Sequence, residues 1–298
     1  MRSKHKVRGG KTQSSQSGRF LISHFSFIIY VVWYWTKILF LTLVGAVLLW
    51  LAYELITFPG ISKLRTENPT TSSMIEYRLS EARAEGREER KFMIWMPMEQ
   101  ISPHLQRAVL AGEDSHFFEH NGFDWVAIEK AWDEAVEEGK KEYKEECEAE
   151  AKAANTPKAD CKPNEEDWIP PMPSFKRGAS TVTQQLAKNL YLSEDRNFLR
   201  KGREMIYTYF LERNLSKKRI LEIYLNVIEW GDGIYGAEAA SRTYFKKSAS
   251  GLTREEAAYL AAMIPSPLNV FNPIKNPKRL KRRQRVLLKY MNGMQLKY

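Results

Sequence analysis

From Ile38 to Phe58 the chain reads ILFLTLVGAVLLWLAYELITF, an apolar run with a single acid near one end. At ~1.5 Å rise per residue, a helix of this length spans a hydrocarbon core of about 30 Å. No other feature constrains the chain as strongly, because whatever folds after Pro59 must do so on one side of a bilayer. Lys37 and the aromatic-rich stretch Phe25–Trp35 stand where an interfacial belt belongs. Arg2, Lys4, Lys6, Arg8, Lys11 and Arg19 precede the run with no acid among them. By the positive-inside rule this tail stays in the cytoplasm and the rest of the chain lies outside. A cleaved signal peptide and a buried core helix are the rival readings. The length of the run and the lack of an A-x-A-like site oppose the first. The one-sided charge of the tail opposes the second.

The formal net charge is +10, which suits an anionic partner: nucleic acid, a lipid surface or a phosphate-bearing substrate. A location outside the cytoplasm excludes nucleic acid. The basic end Lys278–Arg285 then reads as a helix lying on anionic headgroups. Cys147 and Cys161 have no His or Cys partners at zinc spacing. A disulfide between them and two free thiols both remain open.

Residues 1–37 read as a basic cytoplasmic tail, disordered over 1–19, followed by the aromatic interfacial stretch. Residues 38–58 are the anchor and 59–96 a juxtamembrane linker. A mainly α domain occupies 97–298, with helical periodicity after Ser102-Pro103, from Trp125, and over Thr181–Asn189, Phe198–Arg213, Lys217–Val227, Gly236–Phe245 and Thr253–Met263. Asp195 and Ser216 are plausible caps. Strand signals are almost absent. A Glu/Lys/Ala-rich insertion at about 133–175 reads as an exposed helical spur and linker, an inert surface extension rather than a partner-binding one.

Glu113 and Asp114 close an apolar helix and are followed by aromatics and His120-Asn121-Gly122. A carboxylate leaving a buried helix meets a low dielectric, which raises its pKa and suits it to proton transfer; simple capping of the next turn is the alternative. Downstream, Ser180, Thr181, Thr183, Gln184 and Gln185 gather hydroxyls and amides at a helix start, an anion or sugar site, with Lys188, Asn189 and Arg196 beyond. Glu204 stands among Arg200, Lys201 and Arg203, so it is ionised and acts as an orienter or a surface ion pair. Glu222, Tyr224 and Asn226 read most simply as residues holding a helix against the glycine turn Gly231–Gly236.

Taken in order, EDSHFFEHNGFD, RGASTVTQQLAKNLYL, RKGRE, KKRILEIYLN with GDGIYGAEAAS, and LTREEAAYLAAMIPSPL resemble family 51 glycosyltransferases, the peptidoglycan polymerases, from about Gln100 to Met291. IEWGDGIYGAEAA and RGAST look like the monofunctional subgroup, and no transpeptidase domain is expected. The resemblance implies a lysozyme-like α fold with a smaller, partly hydrophobic lobe dipping into the bilayer of the inner membrane, the catalytic domain being periplasmic. It implies lipid II and undecaprenyl-diphosphate-linked glycan as substrates, with cell-wall synthesis proteins as further partners. Glu113 falls at the catalytic base. Lys188, Arg196 and Glu204 fall at positions serving the donor diphosphate, Glu204 through a divalent metal such as Mg. Asp114, Ser180, Thr181, Gln184, Gln185 and Asn189 fall in the substrate cleft. A glycan-cleaving enzyme on a related fold and a silent membrane scaffold are the alternatives.

Overall fold

The computed structural model describes residues 14–153, 180–192 and 198–298. They form two units that divide between Pro59 and Gly60. The first holds one helix, α1 (Ser14–Ile56), whose stretch Val31–Glu54 is long and apolar enough to cross a membrane. It begins inside the stretch read as disordered, because adding a residue to an existing helix is far easier than starting one. The window also lies several residues before the expected Ile38–Phe58. Lys37 falls within it, with its ammonium 5.2 Å from the Trp33 ring centre, an arrangement that carries a cationic head toward an interface.

The second unit begins at Gly60 rather than at residue 97. Its first segment is no linker. A 3-10 turn at Ile61–Arg65 and helix α2 (Ser73–Ala84) bury Ile61, Leu64, Ile75 and Ala82. Arg219 fastens this segment by donating to the carbonyls of Leu64 and Glu67 at 2.7 and 2.8 Å. The Glu/Arg-rich composition of residues 80–90 conceals these few apolar anchors. Strand β1 (Phe92–Met93) then pairs in parallel with β3 (Ile234–Tyr235), which pairs antiparallel with β2 (Glu229–Gly231). Strands this short carry no readable period-2 pattern.

Helix α3 (Pro103–Glu113) starts at Ser102, whose hydroxyl accepts from the His104 N–H, with Pro103 fitted to the first helical turn. It buries Leu105, Ala108, Val109 and Leu110 against α9 (Arg254–Met263) and α10 (Pro277–Tyr290). Helix α4 (Trp125–Ala153) joins the helix expected from Trp125 to the helical spur expected after it in one unbroken element. The other layer comprises α5 (Val182–Tyr191), packed on α2, α6 (Phe198–Asn214) and α7 (Lys217–Val227). Ser216 caps α7 as expected; Asp195 lies outside the described residues. Trp230 is fully buried and donates its indole N–H to the Leu260 carbonyl at 2.9 Å.

Helix α8 (Ala237–Phe245) begins at Gly236, whose φ of 84° and 2.5 Å approach of a would-be Cβ to the Asn226 carbonyl both require glycine. Asn226 exchanges two hydrogen bonds with the Met96 backbone, at 2.7 and 2.9 Å. The Asn226 side chain thus holds α7 against the Met96 segment, not against the glycine turn as its sequence position suggests.

Candidate active site

The last residue of α3 and the first turns of α5 meet at a cleft of about 280 Å³, lined by Glu113, Asp114, His116, Lys130, Ser180 and Thr181 among others. The Glu113 side chain is only 8% exposed. Its Oε2 accepts from the Gln185 amide at 3.0 Å and its Oε1 from Arg283 Nη2 at 2.9 Å. Arg283 also donates to the Gly112 carbonyl at 3.1 Å. Burial pushes the Glu113 carboxyl above the ordinary range, while Arg283 and the Gln185 amide hold it down against that push. The result is a desolvated carboxylate that two fixed donors keep in one orientation.

Tyr224 Oη donates to Gln185 Oε1 at 2.7 Å, which turns the Gln185 amide so that its N–H faces Glu113. Burial, and then the nearby Glu113 and Asp114, push the Tyr224 hydroxyl well above its ordinary pKa, so it remains a donor. Arg283, Glu113, Gln185 and Tyr224 thus form a continuous chain across α10, α3, α5 and α7.

Asp114 lies beside this chain, buried. The Gly122 N–H donates to His120 Nδ1 at 3.1 Å, which leaves Nε2 as the protonated nitrogen. Nε2–H donates to the Asp114 carboxylate, 2.9 Å from Oδ1, and the Val182 N–H donates to Oδ2 at 2.9 Å. Asp114 therefore joins the loop after α3 to the first turn of α5 and keeps Glu113 aimed into the cleft. Asp124 uses one oxygen on the Ala127 N–H at the start of α4 and the other on His116 Nδ1, at 2.9 and 2.8 Å. Burial raises the Asp124 carboxyl, but the Ala127 N–H and His116 outweigh it and hold it low; the same bond raises His116.

The polar start of α5 divides into two groups. Thr181 and Gln184 form a reciprocal capping box, each side chain meeting the other's backbone N–H, and Thr181 Oγ1 donates to the Gly122 carbonyl at 2.7 Å. Thr183 Oγ1 donates to Glu212 at 2.6 Å. These groups hold the helix start in place. Gln185 reaches Glu113, and Ser180 is exposed on the cleft wall. Lys188 and Asn189 are half-buried one turn further along, and neither lines the cleft among the described residues. Arg196 lies outside the described residues.

Glu204 is 5% exposed at its side chain. Arg200 donates to its Oε2 at 3.0 Å, and Lys201 bonds the other oxygen. With both oxygens engaged by cations, this carboxylate does not fit a divalent metal ligand as arranged. Asp114, His120 and Asp124 also approach one another closely enough to share an ion, yet their own hydrogen bonds already account for Asp114 and His120.

Arg283 is the residue that the sequence hides. It stands inside a run of cations, but Leu280 and Leu287 flank it at helical spacing and are both buried. A cation on the apolar face of an otherwise charged helix is the available signal. Cys147 is disulfide-bonded, and the chain's other cysteine, Cys161, lies outside the described residues.

A family model described as Transglycosylase matches residues 80–143 and 172–292, passing over 144–171. A biosynthetic peptidoglycan transglycosylase of Thiobacillus denitrificans is 41% identical over 249 residues, covering 84% of this chain and 92% of the relative. Proteins of the same name from Nitrosospira multiformis and Chromobacterium violaceum are 39% and 37% identical, over 86% and 88% of this chain and 94% and 99% of theirs. The match spans Glu113, Gln185, Tyr224 and Arg283 alike, and the chain belongs to the transglycosylase family.

Proposed function

We propose that the protein is a peptidoglycan glycosyltransferase that joins lipid II units into β-1,4-linked glycan at the outer face of the bacterial inner membrane. The observation that carries this reading is Glu113, desolvated at the cleft and fixed between Gln185 and Arg283. In this reading Glu113 takes the proton from the acceptor sugar hydroxyl. The hydroxyl oxygen forms a bond to the anomeric carbon of the donor as the carbon–oxygen bond to the diphosphate breaks. The electron pair leaves with undecaprenyl diphosphate, and attack from the opposite face inverts the configuration. A carboxylate whose pKa burial raises toward the working pH is well matched to this proton transfer.

Ser180 stands on the cleft wall to meet the substrate, and Lys188 and Arg196 offset charge that grows on the leaving diphosphate. No step is assigned to a metal, because both oxygens of Glu204 already face cations.

Helix α1 anchors the chain by a single pass. Trp125, Val126 and Trp132 on α4, and Leu199, Ile206 and Tyr209 on α6, are exposed apolar side chains. Patches of this kind suit contact with lipid, where the substrate's polyprenyl chain resides. The test is to supply the full-length protein with labelled lipid II and examine the product linkage. Polymer cut by a β-1,4-specific muramidase, formed with release of one undecaprenyl diphosphate per bond, is expected. Cleavage of preformed glycan without synthesis contradicts the reading.

A further inference from the structure

Helix α10 carries more charge than its site role uses. At 100° per residue, Lys278, Lys281, Arg282, Arg285 and Lys289 fall within about 100° of one another, opposite the buried Leu280 and Leu287. All five are exposed, and among the described residues none has an ion pair. They form a cationic ridge about three helical turns long.

A matching feature stands on α4. Lys140, Lys141 and Lys144 pair with Glu137, Glu145 and Glu148. Glu134, Glu138, Glu142 and Glu146 are all exposed and without ion pairs among the described residues. Their i, i+4 spacing places them in one stripe, also about three turns long. Like charges at this spacing disfavour the helix, and among the described residues no ion pair relieves the stripe. The first matched stretch ends at residue 143, so Glu146 lies in the stretch that the family pattern passes over, while Glu134, Glu138 and Glu142 lie within the match.

We propose that the cationic ridge of α10 docks against the acidic stripe of α4 on a second copy of this chain. The two faces are opposite in sign and match in length and in four successive levels of charge. No ion pair joins α4 to α10 within one copy among the described residues. A membrane anchor confines copies to one plane, which raises their effective concentration and lets weak, exposed ion pairs act together. The spur is then an association element rather than an inert extension.

The test is zero-length carbodiimide crosslinking of full-length protein in phosphatidylcholine vesicles, with isotope-labelled and unlabelled copies mixed. The expected result is a crosslinked dimer whose linked peptides join Lys278, Lys281 or Lys289 of one isotopic form to Glu134, Glu138, Glu142 or Glu146 of the other. Raising the salt to about 1 M, where screening acts within ~3 Å, should abolish it. Reversing the ridge (Lys278→Glu, Arg282→Glu, Arg285→Glu, Lys289→Glu) should lower the dimer yield at least about tenfold. Reversing the stripe (Glu134→Lys, Glu138→Lys, Glu142→Lys, Glu146→Lys) should do the same. Combining both reversals in one chain should restore the dimer, which no folding defect could mimic. Monomer throughout, a dimer indifferent to the reversals, or protection of the ridge lysines only when anionic lipid is present would each overturn the proposal, the last by assigning the ridge to headgroups.

Discussion

Arg283 reaches from α10 to Glu113 at the end of α3, placing Nη2 2.9 Å from Oε1 across 170 residues of sequence. Burial pushes the Glu113 carboxyl up, and the Arg283 contact opposes that push in a water-poor cleft. Arg283→Gln should therefore move the acidic limb of the kcat pH profile upward, since removing the cation leaves burial to raise the Glu113 pKa further. At neutral pH the rate should fall by about 10- to 100-fold. An unshifted limb would show that Arg283 acts only on the fold.

Tyr224→Phe tests the orientation of the Gln185 amide. Loss of the 2.7 Å bond to Oε1 frees the amide to turn away from Glu113. A reduction in kcat of roughly three- to tenfold with KM little changed is expected, along with about 1 kcal/mol of lost stability. Initial rates over a lipid II titration and a denaturant melt separate the two effects.

Asp114→Asn should mainly weaken the fold around the cleft. A carboxylate accepts from both His120 and the Val182 N–H, whereas an amide must present a donor to one of them. The expected cost is about 2 kcal/mol, read from the shift in denaturant midpoint at constant m-value.

Gly122 has a φ of 93°, and a Cβ there would lie 2.7 Å from the Thr208 methyl. Its carbonyl accepts from Thr181, so the loop also fixes the start of α5. Gly122→Ala should cost roughly 1–3 kcal/mol and lower activity, through strain and a displaced helix start. Thermal unfolding and single-point activity would check both.

Glu113→Gln should trade in the opposite direction. Because the folded pKa of Glu113 lies above its unfolded value, ionising it opposes folding, and the stabilising contribution is fully present below the unfolded pKa and is lost as pH rises through the raised folded pKa. At pH 7–8 the amide variant should melt at or above the wild-type temperature. That advantage should shrink as pH falls through the raised pKa toward the ordinary glutamate value of about 4.3. A variant markedly less stable at pH 8 would contradict the burial argument.

Much of the helical layer was legible from spacing alone. Ser102-Pro103, Ser216 and Thr253 mark starts that the structure confirms, and Leu105, Val109 and Leu110 gave α3 its face. The sheet was not legible, because β1 and β3 hold two residues each. Helix α10 reads as a plain charge run because seven cations obscure Leu280 and Leu287. Within the site, Glu113 could be found from its exit out of an apolar helix. Its partner could not, since an ion pair closed across most of the domain leaves no local pattern. The polar density at α5 was legible as important, but not as divided between a cap, in Thr181 and Gln184, and a contact to the base, in Gln185.

The most direct measurement compares wild-type and Glu113→Gln protein, both full-length and detergent-solubilised, on labelled lipid II, with products resolved by size. Long glycan from the wild type and none from an equally well-folded variant is the predicted result. Polymer from Glu113→Gln at an undiminished rate, or none from the wild type, would contradict Glu113 as the base of a polymerising transferase.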